Sequence, residues 1–280
     1  MRNLADRTIL VTGATDGLGR RLALELAGRG ATVLLHGRDE GRSEATLGEI
    51  RRQTGNEKSR YYLADFSSLE EVHAMAARIL SDHERLDALV NNAGVIVPER
   101  RESEDGVELT FAVNHLAHFL FTNLLLALLR ASAPARVVNV ASAAQSPIDF
   151  RDPMLRRGYD GMRAYSQSKL AQVMFTFSLA ERLRGSGVSA NALHPASLMD
   201  TKMVRQTFGY AASTVEEGAE ATVRLAASSE AEGITGRYFD GTREARANRQ
   251  AYDAGVRERL WALSEEMCGR FLEPLRNDLN

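Results

Sequence analysis

Tyr165 and Lys169 stand four residues apart and are the pair in this sequence best suited to moving a proton. On a helix such positions share one face. A free tyrosine titrates at about 10, too high for acid/base work near neutrality. A neighbouring ammonium favours the phenolate and lowers that value, so the pair is expected to act as a general acid/base. A second cluster is Thr12-Gly13-Ala14-Thr15-Asp16-Gly17-Leu18-Gly19. Gly13 permits a tight turn, Gly17 lets the backbone approach a pyrophosphate, and Gly19 lets a helix pack on a sheet. The helix N-terminus then offers free N–H groups and a positive dipole end to phosphates. A third is His36-Gly37-Arg38. It carries no carboxylate to bond ribose hydroxyls, whereas Arg38 brings a planar, permanently charged fork suited to a 2′-phosphate. NADP is therefore expected in preference to NAD, with NAD as the alternative.

The elements that must position these groups follow from hydrophobic periodicity. Strands are predicted at Thr8–Thr12, Thr32–His36, Tyr61–Ala64, Leu86–Val90, Arg136–Ala141, Val188–Leu193 and Arg237–Phe239. Helices are predicted at Leu18–Ala27, Glu40–Thr54, Leu69–Ser81, Val107–Arg130, Ala164–Leu183 and Val215–Ala227, with one or two charged helices over Glu244–Cys268. Strands alternating with helices imply βαβ units and a parallel sheet. Continuous apolar strands imply helices on both faces. The expected fold is an α/β, Rossmann-type, doubly wound three-layer domain spanning the whole chain. Ser142–Arg163, with two prolines and two glycines, is expected to be a loop beside the site.

The glycine spacing, G-x-x-x-G-x-G, resembles that of the short-chain dehydrogenase/reductase family. Further residues carry the resemblance in order along the chain: Asn91-Asn92-Ala93-Gly94, Asn114, Ser142, Tyr165-Ser166-Gln167-Ser168-Lys169 and His194-Pro195. The retinol-dehydrogenase-like branch is the most similar. Its matches are Tyr165 to Ala171, Asn191 to Pro195, Leu260 to Ser264, and the long gap between Ser142 and Tyr165. The resemblance implies a hydride-transferring oxidoreductase acting on an alcohol or carbonyl. It implies catalytic roles for Ser142, which orients the substrate oxygen, for Tyr165 and Lys169, and for Asn114, which helps position a water linked to Lys169. Ser142 is preferred to Ser146 because it directly follows a strand. For cofactor binding it implies Gly13, Thr15, Asp16, Gly17, Leu18, Gly19, Arg38, Asp65, Phe66, Asn92, Ala93, Gly94, Tyr165, Lys169, Pro195 and Thr201. Asp65 and Phe66 would border the adenine, and Thr201 the nicotinamide amide. Gly37 stands where NAD-preferring relatives carry Asp. Asp16 stands where many NADP-preferring ones carry a base, leaving Arg20 or Arg42 to supply it. Residues 196–214 are expected to form a substrate lid, which Met199, Met203 and Phe208 make apolar, and 240–280 a C-terminal helical segment.

Bulk properties set limits. The 35 basic and 37 acidic residues leave a net charge of −2, which is no electrostatic footprint for nucleic acid. The longest apolar stretch, about Leu116 to Leu129, is interrupted by His118, Thr122 and Asn123 and falls short of a membrane span. Cys268 is the one cysteine and is expected to pack as a structural thiol. His115 and His118 lack the neighbours of a metal site, and no metal is expected. The expected setting is cytoplasmic, with a small-molecule substrate and no membrane partner. A homodimer or homotetramer through Val107–Arg130 and Ala164–Leu183 is expected, a monomer being the alternative if the C-terminal segment covers that face. A non-catalytic NADP-binding regulator is the alternative function; it would be expected to lose Ser142, Tyr165 or Lys169, and all are present.

Overall fold

A computed structural model of the chain describes residues 3–277. The strands are β1 (Thr8–Val11), β2 (Thr32–Gly37), β3 (Arg60–Leu63), β4 (Ala88–Asn91), β5 (Ala135–Val140), β6 (Val188–His194), β7 (Tyr238–Asp240) and β8 (Arg243–Glu244). They form one sheet in the order β3-β2-β1-β4-β5-β6-β7-β8, parallel except for the β7–β8 hairpin. The order reverses between β1 and β4, so the connections leaving their C-terminal ends run in opposite directions along the sheet and leave a crevice, the usual ligand position in such sheets.

The helices are α1 (Gly17–Gly28), α2 (Glu40–Thr54), α3 (Leu69–Asp82), α4 (Leu109–Phe111), α5 (Ala117–Leu124), α6 (Leu126–Ala131), α7 (Gly161–Arg182), α8 (Lys202–Phe208), α9 (Val215–Ala227) and α10 (Ala254–Asn277). They start where the sequence supplies a cap. Asp16, Asp39, Ser68, Asp160 and Thr214 each accept a backbone N–H at the N-terminus of α1, α2, α3, α7 and α9. Strand residues feed two cores. Leu10, Leu34 and Val137 face the side of α3, α5 and α7, while Ile9, Val33 and Val138 face that of α1 and α9. Burial on both faces is why these strands read as continuous apolar runs.

Most elements agree with expectation to within one or two residues. Three differ. The single helix expected over Val107–Arg130 is broken: a π-helical turn spans Ala112–Leu116 between α4 and α5, and Leu125 separates α5 from α6. The side chain of Asn114 bonds the backbone of Val95 from within that wide turn. The segment 240–280 is not helical throughout. It opens with β8 and a short 3-10 turn at Arg249–Tyr252 before α10. The region 196–214 contains α8, which hydrophobic periodicity did not announce because none of its residues is buried.

Helix α10 lies across α5 and α7. Trp261 is buried there, edge-on to Phe119 at 4.9 Å and with the Arg182 guanidinium 3.9 Å from its ring centroid. Ser264 donates to Leu260 O, so it accepts from His115 Nε2 at 2.8 Å. Cys268 is buried in the same layer, as expected. Trp261→Ala is expected to lower the unfolding free energy by about 3–5 kcal/mol in urea denaturation, through the lost ring and the cavity left behind. A loss below 1 kcal/mol would show that α10 is only loosely docked.

Candidate active site

The crevice is a cavity of about 510 Å³. Seventeen of the eighteen expected site residues line it; Asn114 does not. One wall is the glycine loop. A Cβ on Gly13, which has φ +64°, would sit 2.9 Å from Ala93 Cα. A Cβ on Gly19 would sit 2.1 Å from the Gly13 carbonyl oxygen. The loop is thus pressed against the strand end Asn92-Ala93 and leaves its outer side open to a ligand. The expected role of Gly19 in helix–sheet packing is in fact contact with this loop.

Two buried histidines, which sequence reasoning set aside, hold the loop. His118 Nδ1 faces the Asn114 carbonyl, which can only accept, at 3.0 Å and so carries the ring proton. Thr12 Oγ1 accepts from Asn92 N at 2.8 Å and Ala93 N at 2.9 Å, and its own proton has His118 Nε2 at 3.0 Å and Val90 O at 3.4 Å as acceptors. His36 holds the loop from the other side. Its Nδ1 accepts from Gly13 N at 3.1 Å, its Nε2 donates to Ala64 O at 3.0 Å, and its ring stacks on Phe66 at 4.1 Å. Both rings are held neutral. Protonation of His36 would set two donors face to face, and burial lowers His36 to about 4 and His118 to about 3. The clue available in the sequence was a polar ring inside an apolar strand (His36) or an apolar helix (His118), which must find buried partners.

At the cofactor-selecting end, Gly37 has no room for a side chain. A Cβ there would sit 2.6 Å from both Thr15 Cγ2 and Ser43 Oγ. Arg38 is exposed, 4.0 Å from Asp65 Oδ2. Arg42 lines the cavity and bonds Asp16 Oδ2 at 2.7 Å, whereas Arg20 lies outside it, paired with Glu49. Of the two arginines expected to supply a second base, Arg42 is therefore the one in place. Asp65 does not cap α3, a role Ser68 takes; its carboxylate accepts from Ser67 N. The open glycine loop, the cations at the tip of β2 and the barred side chain at Gly37 fit a phosphorylated dinucleotide.

At the other end Ser142, from the end of β5, and Tyr165 and Lys169, from α7, converge; Ser146 does not line the cavity. The Ser142 hydroxyl accepts from Ala144 N at 3.1 Å on the side of the cavity that Tyr165 lines. Burial raises the tyrosine, Ser142 opposing it. The expected lowering by the lysine is not what dominates. Lys169 Nζ stands 5.6 Å from the tyrosine ring centroid and donates instead to Val140 O and Gln172 Oε1, each at 2.8 Å. Burial depresses it to about 7, so near neutrality it is only partly charged and helps the phenolate less.

Asn114 is fully buried behind Gly94. Its Oδ1 accepts from Val95 N, and its Nδ2 donates to Val95 O and Ser168 Oγ. Both amide protons are committed to protein, so the side chain braces the Val95 wall rather than holding a water by those protons. Thr201 leans on the glycine loop, its methyl 3.1 Å from a Cβ on Gly17. Its hydroxyl accepts from Val204 N and caps α8, and the residue lines the cavity. His115 and His118 turn to different partners, Ser264 and Thr12, as packing rather than metal-binding histidines do.

The buried neutral histidines give the fold a pH dependence. Unfolded, each takes a proton at about 6.5. Folded, His36, His118 and His115 stay neutral down to about 4, 3 and 3, His115 too being lowered by burial. The unfolded chain binds more protons in this window, so stability is full above pH 6.5 and falls as pH drops toward 4. Each histidine contributes a slope of roughly 1.4 kcal/mol per pH unit. Urea denaturation across pH 4.5–7 is expected to show this slope, reduced by one histidine's share in His118→Gln. An unchanged slope in that variant would count against a neutral buried ring.

Comparison with known proteins agrees with this geometry. The family described as short chain dehydrogenase matches residues 7–210. Human retinol dehydrogenase 13 is 41% identical over 281 residues, covering 94% of this chain and 85% of that protein. Human retinol dehydrogenase 14 is 38% identical over 290 residues, covering 94% and 86%. Among solved structures, an uncharacterized protein from Mycobacterium paratuberculosis superposes with a TM-score of 0.78 at 34% identity, covering 95% of this chain and 94% of that one. A Shigella flexneri short chain dehydrogenase complexed with NADP gives a TM-score of 0.71 at 27% identity, covering 85% and 98%.

Proposed function

The chain belongs to the short chain dehydrogenase family, in its retinol-dehydrogenase-like branch, and from that membership we propose an NADP(H)-dependent oxidoreductase acting on an apolar alcohol or carbonyl. One observation carries the proposal. Ser142, Tyr165 and Lys169 converge at one end of a cavity whose other end holds Arg38 and Arg42 beside a strand tip barred to a carboxylate. A guanidinium there meets a 2′-phosphate with charge-assisted bonds, and no acidic residue competes at position 37.

A bound nicotinamide supplies or accepts the hydride. The chain's own residues do the rest. In the reductive direction Ser142 orients the substrate oxygen, and Tyr165 donates its hydroxyl proton to it. Burial keeps that hydroxyl protonated, which suits an acid. Lys169, near its own titration point, exchanges protons readily at neutral pH. The substrate side is apolar, with Ile96, Val113, Met162, Met203 and Phe208 lining it. Methionines adapt to irregular apolar shapes, and the relatives are named for retinol, so a retinoid is the first substrate to screen.

Among the described residues no helix is long and apolar enough to cross a membrane. Helix α10 occupies the outer face of α5 and α7, the face expected to carry a two-fold contact. A monomer is therefore proposed in place of the expected oligomer. Light scattering returning about 30.8 kDa supports it, and twice that mass overturns it.

Fluorescence titration is expected to show tighter NADPH than NADH binding. Arg38→Ala should weaken NADPH binding by about 1.5–3 kcal/mol, roughly ten- to hundredfold, and leave NADH nearly unchanged. Equal affinities in the unaltered protein would sink the NADP assignment. Tyr165→Phe is expected to lower kcat by roughly 10²–10⁴ with cofactor affinity retained; undiminished turnover would remove Tyr165 from the reaction.

A further inference from the structure

Lys169 is a buried cation whose hydrogen-bond partners are both neutral. Its Nζ donates to Val140 O at the end of β5 and to Gln172 Oε1, three residues further along α7. Gln172 is itself buried, and its Nε2 has no partner. A glutamine free to choose would turn its amide to satisfy the nitrogen. Here only the oxygen can face an ammonium, so the lysine dictates the orientation and the unpaired nitrogen is its cost.

We propose that Gln172 is a positioning residue for the reaction assigned above: it anchors the Lys169 ammonium against the end of β5 and governs when that lysine is charged. The inference rests on that reading for its consequence in turnover, but not for its structural content.

The titratable groups around Lys169 leave this task to Gln172. Tyr165 faces it from the same helix at 5.6 Å, and its hydroxyl is kept protonated by burial. His118 of α5 and His194 at the end of β6 are both lowered by burial, and each is electrostatically opposed to Lys169. Asp240 at the end of β7 acts on His194. No carboxylate among the described residues bonds Nζ, so two neutral oxygens support the charged form, and burial takes the lysine to about 7. With so little support, the loss or gain of one partner moves the titration.

The sequence makes this directly measurable, because Lys58, Lys169 and Lys202 are its only lysines. Lysine-selective ¹³C NMR of the full chain without cofactor should show three titrating signals, that of Lys169 being the one lost in Lys169→Met. Its midpoint is expected near neutrality. Gln172→Leu removes one acceptor and should move the midpoint down by about one pH unit. Gln172→Glu places a carboxylate in the same position and should move it up by about one unit or more. The pH profile of kcat should follow in the same two directions, with cofactor affinity little changed. If Gln172→Leu does not fold, Gln172→Met, which keeps the length of the side chain, takes its place.

Midpoints that stay put, or that move the same way in both variants, overturn the proposal and leave Gln172 as packing. Opposite shifts in a protein that turns over no alcohol or carbonyl would uphold the Gln172 assignment and defeat the oxidoreductase reading instead.

Discussion

A single hydroxyl sits where the strand order reverses between β1 and β4, and the site is assembled around it. Thr12 Oγ1 accepts two backbone N–H groups from Asn92 and Ala93 and offers its own proton to His118. Each contact ties a different segment to the end of β1: the loop after β4 through the backbone, and α5 through the imidazole. Because His118 also bonds the Asn114 carbonyl, the glycine-loop strand and the catalytic wall share one buried network. In a medium of low polarizability such a network is rigid only if every member is satisfied. Here the tautomers of both histidines follow from the groups their ring nitrogens face.

The same low polarizability shapes the chemistry. The site contains no buried carboxylate to hold the lysine charged, so burial decides its ionisation and that of the tyrosine. Burial pushes the tyrosine toward its protonated form and the lysine toward its neutral form, so the pair is driven toward carrying no charge on either member. This also explains a bias in the composition. Nearly all of the 35 basic residues are arginine, and the one buried lysine is at the reacting centre. Arginine stays charged in any protein environment; only a lysine can be tuned to titrate near neutrality.

The tip of β2 is crowded as well as charged. Thr15 Cγ2 and Ser43 Oγ would both have to move to admit a side chain at position 37. Arg38 and Arg42 line the cavity beside it, each facing a carboxylate, Asp65 and Asp16. The segment 196–214 differs in kind. Its helix α8 buries none of its residues and is tied down through backbone bonds at its base, where Ala212 N and Ser213 N reach Leu198 O. Elements with few buried contacts are those that open locally at least cost.

Periodicity by itself determined the α/β alternation and the strand count through β7, because burial on both sheet faces leaves a direct mark on residue type. The glycine loop and the Tyr165–Lys169 pair were legible from residue type and spacing, whereas Ser142 and most other crevice residues were implied by the resemblance to the short-chain dehydrogenase/reductase family. Partner choice was not, since it depends on which side chains the fold brings within three ångströms. Only the tertiary structure decided that Asn114 braces Val95 from a π turn, that Thr201 caps α8, and that Lys169 turns to Gln172. The weakly apolar elements, α8 and β8, also went unread, because an exposed or two-residue element buries too little to impose a pattern. The physical reason is common to all of these. Sequence periodicity records what is buried, whereas hydrogen bonds between distant segments depend on a geometry that exists only once the chain has folded.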